Sequence, residues 1–146
     1  MVSENQVCTF LLDQQMYGVD VQSVQEVIRY QEMTEVPLAP DSVVGLINLR
    51  GQIVTAIDLR KRLGLPSRPE GQMPMNVVIQ SDDAAISLLV DFIGDVQEID
   101  LENFEPPPET LKEESRAMIR GAYKMKNRLL LILDTERAMN VHSNSE

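Results

Sequence analysis

Residues 45–58 read GLINLRGQIVTAID, and residues 121–134 read GAYKMKNRLLLILD. Laid over one another, each stretch runs from a Gly to an Asp with a turn candidate in the middle and an aliphatic strand behind it. Gly51 falls opposite Asn127, and Gly and Asn are the residues that best tolerate left-handed backbone. Further upstream, Val24-Gln25-Glu26-Val27 resembles Val96-Gln97-Glu98-Ile99, and Pro37-Leu38-Ala39-Pro40 has a looser counterpart in Pro106-Pro107-Pro108. Each half therefore reads strand, strand, VQE segment, Pro turn, hairpin, helix. A unit of about 70 residues is marginal alone. The inference is two small β-barrels that share one core, with a groove where they meet.

The rest of the chain agrees with a mostly β reading. Strand-sized apolar runs span Val7–Leu12, Met16–Val21, Val43–Leu49, Ile53–Ile57, Val77–Ile79, Ile86–Ile93 and Leu129–Leu133. No long amphipathic helix repeat is present. Asp13-Gln14-Gln15, Arg50-Gly51 and Ser81-Asp82-Asp83 are the expected hairpin tips. Asp58 can cap a turn through Leu59–Leu63, closed by Gly64 and followed by Pro66. Asp134 can cap a last helix to about Asn140. Residues 40–45 look like one helical turn. The basic trio Arg60-Lys61-Arg62 reads as a solvated helix end.

Composition narrows the function. The chain has 146 residues, the size of one domain, and a net charge of -10 with only six aromatic residues (3 Tyr, 3 Phe). An acidic chain repels phosphate backbones, and few bases could be stacked, so nucleic acid is not expected as a partner. One Cys and one His do not make a zinc site, which wants three or four such ligands. His142 lies in a polar tail. Cys8 falls in a strand and reads as buried and structural. Asp82-Asp83 and Glu113-Glu114 read as solubility features. No phosphate-loop, dinucleotide, nucleophile-elbow or metal motif occurs. No catalytic residue, metal or cofactor is expected. The longest apolar run considered, Leu129–Leu133, is far short of the ~20 residues that span a bilayer, and no leader is visible, so the expected location is cytoplasmic.

The unusual polar residues sit in the first hairpin. Alternation along Leu46-Ile47-Asn48-Leu49-Arg50 puts Asn48 and Arg50 on the face opposite Ile47 and Leu49. Lys124 and Lys126 are their equivalents in the second half. This face reads either as a solvated edge or as a recognition surface with Arg50 as a forked donor at the tip. Val24 and Glu26 read either as half-buried packing with a solvated acid, or as one rim of a groove that receives an amphipathic helix.

These residues carry a resemblance. Val36-Pro37-Leu38-Ala39-Pro40, then Val44–Val54 with its INLRG block, then Ile57-Asp58-Leu59-Arg60, closely resemble the CheW family of chemotaxis coupling proteins. Tyr17–Val21, Val24–Val27, Val90-Asp91, Val96–Ile99, and Arg128-Leu129 with Leu133-Asp134 fit as well, so the resemblance covers about Val7 to Val141. Many members carry a Pro in the strand after NLRG, where this chain reads Val54-Thr55-Ala56-Ile57.

The resemblance implies two intertwined SH3-like five-stranded β-barrels sharing one hydrophobic core, with short helices. It implies one CheW-like domain over residues 7–141, with flexible termini at 1–6 and 142–146. It also implies a non-enzymatic adaptor with two partners, the regulatory domain of a CheA-type histidine kinase and the cytoplasmic tip of a chemoreceptor. The membrane would be reached only through receptor arrays. Carried over by position, Val24, Glu26, Gly45, Asn48 and Arg50 face the receptor, and Val27 or Ile28, with Val96 in the second half, lines the groove. The kinase-contacting residues stay unassigned. The rival readings are a CheW-like regulatory domain of a larger signalling protein, and a small-molecule sensor using the groove.

Overall fold

The computed structural model describes residues 5–80 and 84–140. The expected hairpin tip at Ser81-Asp82-Asp83, and the tail that carries His142, lie outside the described residues. So do positions 1–4, but Gln6 is already in a strand and Asn5 accepts a hydrogen bond from the Ile99 amide at 2.8 Å.

The chain opens with the hairpin β1 (Gln6–Leu12) and β2 (Gln15–Asp20). Its two-residue turn, Asp13 and Gln14, has φ of 50° and 71°, the primed turn shape whose twist suits tightly paired strands. Asp20 then caps a single 3-10 turn, Val21–Ser23, that leads into β3 (Val24–Ile28). A second hairpin follows, β4 (Val43–Leu49) and β5 (Gln52–Asp58), turned at Arg50 and Gly51 with φ of 50° and 88°. Asp58 caps the short α1 (Leu59–Arg62), its carboxylate accepting from the Arg60 amide at 3.1 Å. Gly64 has φ of 73° and ends that turn. The second half runs β6 (Met75–Gln80), β7 (Ala85–Val90), β8 (Phe92–Glu98), a 3-10 turn at Leu101–Asn103, α2 (Glu113–Met118), β9 (Ile119–Lys124), β10 (Leu129–Leu133) and α3 (Thr135–Met139), the last capped by Asp134.

Among the described residues ten strands form two five-stranded sheets, ordered β8-β1-β2-β10-β9 and β3-β6-β7-β5-β4. The internal repeat survives as order along the chain: β1 to α1 in the first half, β6 to α3 in the second. The opening hairpins are exchanged, however. β1–β2 pairs with β8 and, in parallel, with β10. β6–β7 pairs with β3 and, in parallel, with β5. Each sheet therefore takes three strands from one half and two from the other, so neither half completes a sheet alone.

Closed barrels are not found. The end strands of each sheet are not joined by a ladder among the described residues. Instead the chain leaving β3 makes one bridge, Thr34 with Leu46 of β4, and the chain leaving β8 makes one bridge, Glu105 with Ala122 of β9. Both bridged residues follow a repeat-matched glycine. A Cβ on Gly45 would stand 2.7 Å from the Thr34 carbonyl and 2.9 Å from Met33 Cβ, and a Cβ on Gly121 would overlap the Phe104 ring. Absence of a side chain lets the crossing strap lie flat on the strand.

The sheets pack on a central core that includes Phe10, Tyr17, Ile57, Leu88 and Leu131. Phe10 and Tyr17 stack with centroids 6.1 Å apart. A second cluster with Ile47, Val54 and Leu89 fills the other face of one sheet. A third with Val7, Tyr123 and Leu130 fills the other face of its partner. The unbroken aliphatic run of β10 follows from this, as does that of β7 apart from Ser87, whose hydroxyl donates to Asn76 at 2.6 Å, since both faces of each strand are buried.

Four local expectations change. The run 86–93 is two strands, broken at Asp91. Residues 40–45 are a tight turn, closed by Val43 N–H to Pro40 O at 2.9 Å, and β4 begins at Val43. Asn127 is not left-handed. Of the basic trio only Lys61 is solvated: Arg60 and Arg62 are only 5% and 7% exposed. Arg62 reaches the carbonyls of Arg137, Ala138 and Asn140 at the end of α3. Burial holds its pKa below the usual arginine range.

The Pro turn carries one strained residue. Leu38 has φ of 63° and is fully exposed, in a turn where Ala39 N–H reaches Val36 O at 3.4 Å. That geometry suits Gly. Leu38→Gly is expected to stabilise by about 0.5–1 kcal/mol, after the entropy glycine loses on folding. A raised urea midpoint at constant m-value is the readout.

Candidate recognition site

β3 carries a bulge between Val24 and Glu26, and the bulge sorts its side chains. Val24 and Val27 pair with Ile79 and Val77, both members of the central core, and so stand on the face turned toward the other sheet. Glu26 pairs with Val78 and Ile28 with Asn76, on the opposite face, where Ile28 packs against the second cluster. Val24 is half-buried and Val27 exposed. On the other sheet, edge strand β8 places Val96 opposite Cys8, whose side chain packs on the central core. Val96 therefore lies on the matching face, 52% exposed. Val24 and Val96 are repeat equivalents on edge strands of different sheets.

The polar residues converge at the hairpin tip. β3 and β4 are opposite end strands of one sheet, yet Arg50 at the β4–β5 turn donates to the Glu26 carboxylate. Beside this pair, Gln25 Nε2 reaches Gln52 Oε1 at 3.5 Å. The sheet therefore curls until side chains join its two edges. The hydrogen bond from Arg50 holds the Glu26 carboxyl below its ordinary range, and Glu26 in turn raises Arg50. Arg50 remains 73% exposed at the side chain and Glu26 19%, so the guanidinium faces solvent as expected. Asn48 is exposed and shapes the tip, its Oδ1 accepting the Gly51 amide at 3.0 Å.

Among the expected site residues, the structure brings Glu26, Asn48 and Arg50 to one end of the sheet and sets Val24 and Val27 beside them on β3. It places Val96 on the other sheet. Gly45 is buried under Met33 and Thr34 and seats that strap. Gly45→Val is expected to push the strap off β4 and cost about 1–3 kcal/mol. Hydrogen exchange checks this: the Thr34 and Leu46 amides, bonded reciprocally at 2.9 and 2.8 Å, should lose protection ahead of the rest.

An open cleft of about 590 Å³ lies elsewhere, lined by Val36, Leu38, Val43, Leu46, Ile86 and Met139 among others, and none of the expected site residues lines it. Sequence reasoning also missed the buried ionic group of Arg60, Arg68 and Asp91. The signal was present: an acid inside the eight-residue apolar run 86–93 must find a partner when the run is buried.

Little on this surface is reactive. Burial first, then the charge of Asp20, raises the Cys8 thiol, so its nucleophilic thiolate is scarce. Among the described residues no three His, Cys, Asp or Glu side chains gather as a metal site, and no helix is long and apolar enough to cross a membrane.

Two interlocked sheets, each with an exposed valine on an edge strand, and a charged clasp at the tip of one of them, define a binding module. The chain belongs to the CheW-like domain family, whose profile matches residues 6–142. It is 31% identical to chemotaxis protein CheW of Bacillus subtilis over 134 residues, 92% of this chain and 86% of that one. It is 30% identical to chemotaxis protein CheW of Thermotoga maritima over 141 residues, 93% and 88% of the two chains. The crystal structure of scaffolding protein TtCheW from Thermoanaerobacter tengcongensis superposes with a TM-score of 0.79 at 30% identity, covering 90% of this chain and 89% of that one. The protein is thus a coupling adaptor of chemotaxis signalling.

Proposed function

We propose that this adaptor joins the cytoplasmic tip of a chemoreceptor to the regulatory domain of a CheA-type histidine kinase, without catalysing a reaction of its own. An amphipathic receptor helix lays its apolar stripe against Val24, Val27 and Val96, while Arg50, Glu26 and Asn48 orient it through rim charges and hydrogen bonds. Ile28 and Gly45 support the strand and the strap behind that face. The observation that carries this reading is the placement of Arg50: exposed, and paired with Glu26, the residue before the exposed Val27 on the edge strand. On this reading the chain is one domain over residues 7–141, and each curled sheet is an SH3-like barrel left open at its edge. The protein works in the cytoplasm and gathers at membrane-bound receptor arrays, where weak contacts gain strength from high local concentration. Co-sedimentation with a receptor signalling fragment, with and without the kinase, tests it. The protein is expected in the pellet in both cases, and in larger amount with the kinase. Absence from the receptor pellet at cellular concentrations overturns the receptor half of the proposal.

A further inference from the structure

Between the two sheets the chain crosses at Val21–Ser23 and again at Asp91, the single residue between the end of β7 and the start of β8. A one-residue corner leaves the angle between the sheets to whatever holds that residue. Asp91 is held on every side. Its carboxylate accepts Arg60 Nε at 3.1 Å and Nη2 at 2.5 Å, Arg68 Nε at 2.9 Å and the Asp13 amide at 2.9 Å. Its own amide donates to Leu11 O at 3.0 Å. Arg60 Nη1 adds Pro66 O at 2.9 Å and Ser67 O at 3.2 Å, and Arg68 lies 3.7 Å from Asp58.

The partners come from both sheets. Leu11 and Asp13 belong to the β1–β2 hairpin, and Arg60 follows β5 in the other sheet. Arg68 and the two carbonyls belong to the connection from α1 to β6. All the charges are nearly buried, with side chains of Arg60, Arg68 and Asp91 exposed by 6%, 10% and 4%.

Buried ion groups add little net stability compared with apolar filling of the same volume. What they add is direction, because a planar guanidinium fork meets a carboxylate in few orientations. We propose that the Asp91–Arg60–Arg68 group is a conformational device that holds the two sheets at one angle, and so keeps edge strands β3 and β8 at a fixed separation. It stands whether or not the valines of those edges receive a receptor.

The test is a distance distribution by pulsed electron spin resonance, with labels on Ile53→Cys of β5 and Arg120→Cys of β9 in a Cys8→Ser background. With the native group a single narrow distribution is expected. Arg60→Lys keeps the charge and loses the fork, and Asp91→Asn keeps the shape and loses the charge. Both should broaden or split the distribution while circular dichroism stays native. Arg68→Gln, which leaves the Arg60 fork in place, should broaden it less and serves if either of the others fails to fold. A distribution that stays narrow in a folded Arg60→Lys or Arg68→Gln protein overturns the proposal and leaves the group a plain stability feature.

Discussion

Arg50→Glu is expected to weaken binding to a receptor signalling fragment at least about thirtyfold, the loss that marks an anchor residue, and to leave kinase binding nearly unchanged. The substitution puts a second carboxylate next to Glu26, so the clasp across the curled sheet becomes a repulsion and the rim changes sign. The fold should tolerate this. Arg50 is largely exposed, and exposed pairs contribute little to stability, so the thermal midpoint should move only slightly. Glu26→Arg combined with Arg50→Glu restores an attractive pair with reversed polarity. If Arg50 reads the receptor directly, the double variant stays defective. Recovery of binding would reduce the pair to a brace. Equal loss of both partners, or a collapsed thermal transition, would count against a local role for Arg50. Binding through these rim charges should also weaken as salt rises, since they lie within reach of counter-ions.

Much of the architecture was legible because it is local. The hairpin at Arg50-Gly51, the caps at Asp58 and Asp134, and the left-handed Gly64 follow from side-chain chemistry within a few residues. The repeat also carried over: the bridges at Leu46 and Ala122, each after a glycine, are two copies of one device. Exchange of the opening hairpins was not legible. An internal repeat constrains order along the chain and says nothing about which sheet a hairpin joins, because pairing β1 with β8 is a contact between residues about 90 apart. Arg60 and Arg62 misled for a related reason. Spacing on a four-residue helix cannot tell a solvated arginine from one that a distant acid or a distant helix end has drawn inside. At the site, period-two alternation placed Asn48 opposite the buried Ile47 and Leu49, but stopped short of Arg50, which lies in the turn and bonds to Glu26 on the face that carries the Ile47 cluster. It could not see the bulge after Val24 that turns Val27 and Glu26 to opposite faces, nor the strap that covers Gly45.

Asp91→Ala should be the most damaging single truncation in the chain. It leaves Arg60 buried with only two carbonyls, and Arg68 with a more distant acid and the Leu89 carbonyl at 3.4 Å. Breaking one side of a buried ion group costs about 3–5 kcal/mol, against a total stability of about 5–15 kcal/mol for a domain. For a chain of this size that is a fall of roughly 6–20 °C in thermal midpoint. The pH dependence separates lost charge from lost packing. Burial alone pushes the Asp91 carboxyl up, but Arg60, the Asp13 amide and Arg68 together bring it below the ordinary 3.8. A carboxyl lowered on folding contributes stability that is fully present above its unfolded value and is lost as pH falls through the folded one. The gap between native protein and Asp91→Asn, measured by urea unfolding, should therefore stay constant from neutral pH down to about 4 and close below it. A gap that persists unchanged under acid would assign the effect to the amide's different hydrogen bonding, and the charges would then have no part in holding the two sheets together.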